Sequence, residues 1–254
     1  MKLLNGADLA EFIKERQARA VRGLRQAHDV APKLAIIRTN PDPVVDSYMR
    51  MKQRYGEDIL IDVDVHTVEQ AQALETIKQL NTDASVHGII VQIPLPDPGQ
   101  TDELLNAVDA SKDVDGLAAN TKFDPATPLA IAWLLAGYNV ELRGKKILVI
   151  GQGRLVGKPL TSMWQTIGYD VDTADRHTQN LADKTRAADV IVSATGVPGL
   201  ITKDMVKDTA ILVDAGVATD SNGLVYLRNR YYNPLTRRFL NSDPAREGSN
   251  WYAY

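Results

Sequence analysis

From residue 33 to about residue 214, short apolar runs alternate with segments whose apolar residues recur at helical spacing. That alternation is the signature of parallel βαβ units with helices on both faces of a sheet. The early strands read Lys33 to Arg38, Asp58 to Val65 and Gly88 to Ile93, with helical periodicity over Val45 to Tyr55 and Val68 to Leu80. Leu9 to Leu24 reads as a long opening helix. The stretch from Asp109 to Pro128 is rich in Gly, Asn, Asp and Pro and has no periodicity. It marks a crossing between domains. Beyond it, a strand over Lys146 to Ile150 runs into a glycine-rich turn and a helix, then into strands near Asp170 to Ala174, Val190 to Ala194 and Ala210 to Asp214. The pattern predicts an α/β protein of two domains, a three-layer α/β domain over 1–121 and a Rossmann-like domain with a parallel sheet over 122–222. Residues 223–254 differ in character.

Composition narrows the chemistry. A chain of 254 residues exceeds the usual size of one compact domain,. Twenty-nine Lys and Arg against 32 Asp and Glu leave a net charge of -3, evenly spread, which speaks against nucleic-acid or membrane-surface partners,. With no Cys, thiolate chemistry and disulfides are excluded,. The four histidines, His28, His66, His87 and His177, lack the short spacings that place two imidazoles on one metal, so no metal site is expected,. Met1 to Ile13 has acidic residues and no long apolar run, which predicts neither a signal peptide nor a spanning helix and a cytoplasmic protein,.

The segment Ile147-Leu148-Val149-Ile150-Gly151-Gln152-Gly153-Arg154-Leu155-Val156-Gly157-Lys158-Pro159 is an apolar strand, a glycine turn and a helix start. That order sets a pyrophosphate against backbone N–H groups. Its last glycine falls one residue later than in the common G-x-G-x-x-G pattern, and such a turn also serves tight packing alone. At the end of the next strand stand Asp175 and Arg176, which argue opposite ways. Asp175 suits the ribose hydroxyls of NAD, whereas Arg176, helped by Arg154, suits the extra phosphate of NADP.

In the first unit, Tyr48 and Lys52 are four apart on a predicted helix and share a face,. Alone the pair says little. Val91-Gln92-Ile93-Pro94-Leu95-Pro96 ends a buried strand, and Lys112-Asp113-Val114-Asp115-Gly116 follows in a loop, so all can line the carboxyl edge of one sheet,.

These segments, with Ser85-Val86-His87-Gly88, Pro125-Ala126-Thr127-Pro128, Gly153-x-x-Val156-Gly157-Lys158-Pro159 and Ser193-Ala194-Thr195-Gly196, resemble in order and spacing the methylenetetrahydrofolate dehydrogenase/cyclohydrolase (FolD) family. The likeness runs from Leu4 to about Gly223. It implies a tetrahydrofolate substrate, NADP (or NAD) as cofactor, a cytoplasmic homodimer, and a role in one-carbon metabolism and purine biosynthesis. It also implies that Lys52 transfers the proton in the cyclohydrolase step, Gln92 holds and tunes it, Tyr48 stacks on the pterin and Asp115 binds the pterin edge. Gly151, Gly153, Arg154, Leu155, Val156, Gly157, Arg176, Thr195 and Gly196 would hold the dinucleotide. The first domain is then catalytic and folate-binding, the second dinucleotide-binding.

The sequence departs from that family at three places. The family usually has Cys at the position of Ala126, and Arg and Ser at those of Gln152 and Gly153; neither change removes a group the scheme needs. After Gly223 the family's glycine-rich segment and closing helix are replaced by a Tyr- and Arg-rich stretch that resembles the Rhs repeat-associated core motif. A stretch of about thirty residues cannot bury a core alone. Two other readings stand beside the enzyme: a weakly active or non-catalytic fusion that keeps dinucleotide binding, and a Rossmann dehydrogenase acting on amino or hydroxy acids. The last needs a substrate-binding Arg or His beside the nicotinamide, and none can be nominated.

Overall fold

The computed structural model describes residues 4–216 and, beyond them, the backbone of short strand segments at 218–219, 225–227, 230–233 and 238–239. The Rhs-like reading of 223–254 falls mostly outside the described residues, and its side chains entirely so. The chain separates into two compact units, Met1–Ala126 and Thr127–Tyr254. This is a two-domain α/β fold with parallel sheets.

The first unit opens with α1 (Gly6–His28), whose N-terminus is capped by the Asn5 side chain accepting from Ala7 N–H,. There follow β1 (Lys33–Arg38), α2 (Pro43–Ile59), β2 (Asp62–Thr67), α3 (Gln70–Thr82), β3 (Gly88–Val91) and α4 (Thr101–Asn106). The strands form a parallel sheet in the order β2-β1-β3. Alternation along β1 supplies both faces: Ala35 and Ile37 pack with Ile77, Leu80 and Leu104 of α3 and α4, whereas Ile36 packs with Val45 and Met49 of α2,. Helices therefore cover the central strand on both sides, which makes three layers.

Two boundaries differ from the sequence expectation for a physical reason. The predicted strand over Asp58 to Val65 begins at Asp62, because Ile59 completes the apolar stripe of α2 at 3 % exposure and Leu60 then reverses the chain at φ 65°,. The apolar run Ile59-Leu60-Ile61 imitates a strand start while serving a helix end. β3 stops at Val91 rather than Ile93, although Gln92 N–H still donates to Ile37 O at 2.9 Å. The Ile93–Pro94 peptide is cis.

The second unit contains α5 (Ala126–Gly137), β4 (Lys146–Ile150), α6 (Gly157–Ile167), β5 (Asp170–Ala174), α7 (Leu181–Ala187), β6 (Val190–Ser193) and β7 (Ile211–Asp214). α5 starts inside the stretch expected to be loop. Its sequence, Ala126 to Gly137, is apolar nearly all round and so shows no helical period,. Parallel strands are ordered β5-β4-β6-β7, and α6 packs on β4 and β5. Leu148, Ile150 and Ile191 meet Leu181, Leu200 and Val206 on one face. The backbone segments β8 (Ala218–Thr219), β9 (Val225–Leu227), β10 (Arg230–Asn233) and β11 (Arg238–Phe239) pair antiparallel in a separate sheet. No helix among the described residues is long and apolar enough to cross a membrane.

Candidate functional site

Lys52 owes its place to helix geometry. Val45, Met49, Gly56 and Ile59 form the buried stripe of α2, and Lys52 fills the gap between Met49 and Gly56, so that the five recur at spacings of three and four,. Gly56 permits the close approach behind it, since a Cβ there would lie 2.5 Å from Val63 Cγ2 and 2.7 Å from Ile61 O. The ammonium is thus drawn into a half-buried position where charge is costly, and burial lowers the Lys52 pKa while the Asp115 carboxylate opposes that shift,.

Gln92 meets Lys52 from the end of β3. Lys52 Nζ donates to Gln92 Oε1 at 3.2 Å, and Gln92 Nε2 donates to Ile93 O at 2.8 Å. A carbonyl only accepts, so the second bond requires the amide nitrogen to face Ile93 and leaves the oxygen for Lys52. That oxygen accepts equally from an ammonium or an amine. It holds the side chain without demanding the charged form, as a carboxylate would.

Asp115 comes from the loop after α4. Burial raises its pKa, with Lys52 lowering it and Asp113 raising it further. Gly116, at φ 68°, turns the chain directly after it, and a Cβ there would fall 2.7 Å from Phe123 O,. Lys52, Gln92 and Asp115 thus converge from three segments. Tyr48 stands one turn before Lys52 with its residue 42 % exposed, open to a ligand.

In the second unit the turn Gly151 to Gly157 joins β4 to α6. Gly151 has φ 89°, and Cβ atoms at Gly151 and Gly157 would lie 2.8 Å from Ala194 O and 1.7 Å from Gly151 O. A dinucleotide fits this turn on two observations. No side chain caps the N-terminus of α6 at Val156, and a Cβ at Gly153 would meet nothing within 4 Å, so the turn stays open toward a phosphate,. Arg154 and Leu155 are exposed on it and Val156 is partly buried. Gln152, at the family's Arg position, folds back to donate to Thr161 Oγ1 at 3.3 Å.

The loop after β5 carries Asp175 and Arg176. Asp175 Oδ1 accepts from His177 N–H at 2.9 Å and from Thr178 Oγ1 at 3.1 Å, and these bonds hold its carboxyl below the usual range. That oxygen is committed to shaping its own turn. Arg176 is exposed and donates through Nε to His177 Nε2 at 3.0 Å. Thr195 and Gly196 line a cleft of about 370 Å³ with Ser193, Asp214 and Gly216 at the carboxyl ends of β6 and β7. At Gly216, which the sequence motifs do not single out, a Cβ would lie 1.8 Å from Thr195 O, so the two loops close on each other only through glycine.

The comparisons with known proteins agree with this geometry. Residues 4–115 match the model of the tetrahydrofolate dehydrogenase/cyclohydrolase catalytic domain, and residues 125–227 that of its NAD(P)-binding domain. The bifunctional protein FolD of Nitratiruptor is 35% identical over 238 residues, spanning 89% of this chain and 84% of its own. That of Lactobacillus acidophilus is 37% identical over 229 residues, 85% and 81% of the two chains. The crystal structure of the bifunctional FolD enzyme from Campylobacter jejuni superposes with a TM-score of 0.84 at 34% identity, covering 89% of this chain and 84% of that one. With both halves matched and relatives of this identity covered over most of their length, the chain belongs to the tetrahydrofolate dehydrogenase/cyclohydrolase family.

Proposed function

We propose that the chain oxidises 5,10-methylenetetrahydrofolate to the methenyl form with NADP and hydrolyses that product to 10-formyltetrahydrofolate. The observation that carries this reading is the half-buried Lys52, held by a neutral amide and faced by Asp115. A neutral Lys52 amine takes one proton from the water that attacks the methenyl carbon, and the ammonium returns it to N5 as the bond from N5 to that carbon breaks, while the remaining hydroxyl proton leaves to solvent as the formyl carbonyl forms. The formyl group stays on N10. Tyr48 offers an aromatic face to the pterin, and Asp115 accepts from the N–H groups of the pterin edge. Bound NADP supplies the hydride acceptor, so the oxidation needs orientation rather than a side-chain acid.

Gly151, Gly153, Arg154, Leu155, Val156 and Gly157 would seat the pyrophosphate, Arg176 the 2′-phosphate, and Thr195 and Gly196 the nicotinamide half. Domain limits near residues 121 and 222 belong to the same reading; the division into two compact units, which falls after Ala126, supports the number of domains. The homodimer and the cytoplasmic location rest on the family resemblance, and the Rhs-like reading of the tail rests on sequence alone. Following NADPH and methenyltetrahydrofolate absorbance together tests the function. Methylenetetrahydrofolate-dependent NADPH formation with transient methenyl absorbance is the expected result; dinucleotide binding without turnover would overturn it.

Cofactor choice is decided by the loop after β5. With one Asp175 oxygen held in its turn and Arg176 exposed beside it, Arg176 carries the discrimination in this reading. Charge-assisted phosphate contacts are worth roughly 1.5–3 kcal/mol, so Arg176→Ala weakens NADP by about tenfold or more and hardly changes NAD. A wild-type preference for NAD in fluorescence titration would refute the assignment.

Hydrolysis also has a definite pH dependence. The base acts as the free amine, so the rate rises with pH through the lowered Lys52 pKa and is flat above it,. Gln92→Glu puts a carboxylate on Nζ, favours the ammonium and moves this rise to higher pH. A profile in the Glu variant that superposes on wild type removes Gln92 from the role of tuning Lys52.

A further inference from the structure

We propose that His177 is a positioning residue for cofactor selection: its imidazole holds the Arg176 guanidinium by Nε, so that the two Nη groups are presented to the 2′-phosphate of NADP. The inference rests on the reading of Arg176 as the 2′-phosphate ligand and gives a part to a histidine which that reading leaves idle.

Asp175 to Thr178 form a turn fastened at both ends. Thr178 N–H donates to Asp175 O at 3.1 Å and Asp175 N–H donates to Thr178 Oγ1 at 2.8 Å, while Asp175 Oδ1 accepts from His177 N–H and from Thr178 Oγ1. Arg176 and His177 are the two central residues of this turn, and both are exposed,. Asp175 directly follows β5, and Gly151 N–H donates to Ala174 O at 2.7 Å, so the turn is moored beside the glycine turn that ends β4. A dinucleotide whose pyrophosphate lies on that glycine turn brings its adenosine ribose to the end of the neighbouring strand. Arg176 is therefore in the right place, and its direction is what remains to be set.

An exposed arginine has many rotamers and loses them on binding unless a neighbour already holds it. Arg176 Nε donates to His177 Nε2 at 3.0 Å. An accepting ring nitrogen bears no hydrogen, which puts the ring N–H on Nδ1. Among the described residues no acceptor occupies the Nη groups of Arg176. Those two groups form the end of the guanidinium fork, which meets two phosphate oxygens at once. His177 thus orders the cation before the cofactor arrives, and it does so through the one donor that end-on phosphate binding leaves unused.

Equilibrium titrations with NADP, NAD and adenosine 2′,5′-bisphosphate decide the matter. His177→Ala keeps the backbone N–H that bonds Asp175 and removes only the acceptor. It should weaken NADP and the bisphosphate by about three- to tenfold, the cost of ordering one arginine on binding, and leave NAD unchanged. His177→Gln returns an acceptor at the reach of Nε2 and should restore both to within about twofold of wild type. Neither change at this exposed position should move the melting temperature,. In an Arg176→Ala background, His177→Ala should have no further effect, because the pair acts as one unit. Unaltered NADP affinity in His177→Ala overturns the proposal, and so does an equal loss for NAD, which marks a role in the turn alone. Failure of glutamine to restore binding, or a loss that persists without Arg176, overturns it as well. Arg176→Ala by itself reports on the cofactor reading. Full NADP affinity in that variant brings down the reading and this proposal together, whereas a loss there with none in His177→Ala brings down this proposal alone.

Discussion

Lys52→Met abolishes hydrolysis of methenyltetrahydrofolate, by a hundredfold or more, and leaves NADP binding nearly intact. Methionine keeps the length and apolar volume of the lysine stem and removes only the group that carries the proton. Positioned acid-base groups contribute on the order of 10²–10⁴ in rate, and the residual reaction proceeds with solvent as base. The variant should not unfold. Position 52 lies on the buried stripe of α2 between Met49 and Gly56, where an apolar side chain suits the surroundings better than a desolvated amine,. A melting temperature equal to or above wild type, together with unchanged NADP titration, confines the loss to the proton transfer. Hydrolysis within threefold of wild type in that folded protein would remove Lys52 from the mechanism.

Gly157→Ala has the second largest expected effect, on the other domain. Its Cβ would lie 1.7 Å from Gly151 O and 2.7 Å from Gly151 C, both backbone atoms of the opposite limb of the turn, so no side chain can swing away to admit it. The turn must open. Overpacking costs typically reach about 3 kcal/mol, and a turn displaced by that much loses on the order of a hundredfold in dinucleotide affinity. The melting temperature should fall by roughly 5–10 °C at the same time. Gly153→Ala is the matched comparison, because a Cβ there meets open space and should cost no stability. Equal stability of the two alanine variants would show that the close approach of Gly157 to Gly151 is not what builds the turn.

Much of this architecture is legible in the residue pattern because it depends on local geometry. The strands Lys33–Arg38 and Lys146–Ile150 coincide with the apolar runs that predict them, since a central parallel strand is apolar over most of its length, whereas Asp170–Ala174 lies at a sheet edge and shows only alternation. Lys52 is less legible: its spacing from Tyr48 says little alone, and only burial shows that it shares the stripe of Val45, Met49 and Ile59. Boundaries fail where two elements share one apolar run, as at Ile59 to Ile61, and existence fails where a helix is apolar all round, as in α5.

The residue pattern by itself determined the fold class, the glycine turn, and which side chains have the chemistry for proton transfer and phosphate binding. Only the tertiary structure decided how they act. Lys52, Gln92 and Asp115 are far apart along the chain and meet because the fold brings the middle of α2, the end of β3 and the loop carrying Asp115 together. Asp175 and Arg176 argued opposite ways in the sequence, and only the folded loop shows one Asp175 oxygen accepting from His177 N–H and Thr178 Oγ1. Asp113 looked like any other loop aspartate until its burial and its bond to Ala118 N–H were known. In each case the deciding quantity is desolvation or the occupancy of a hydrogen-bonding atom, which depends on neighbours that the chain supplies from distant positions.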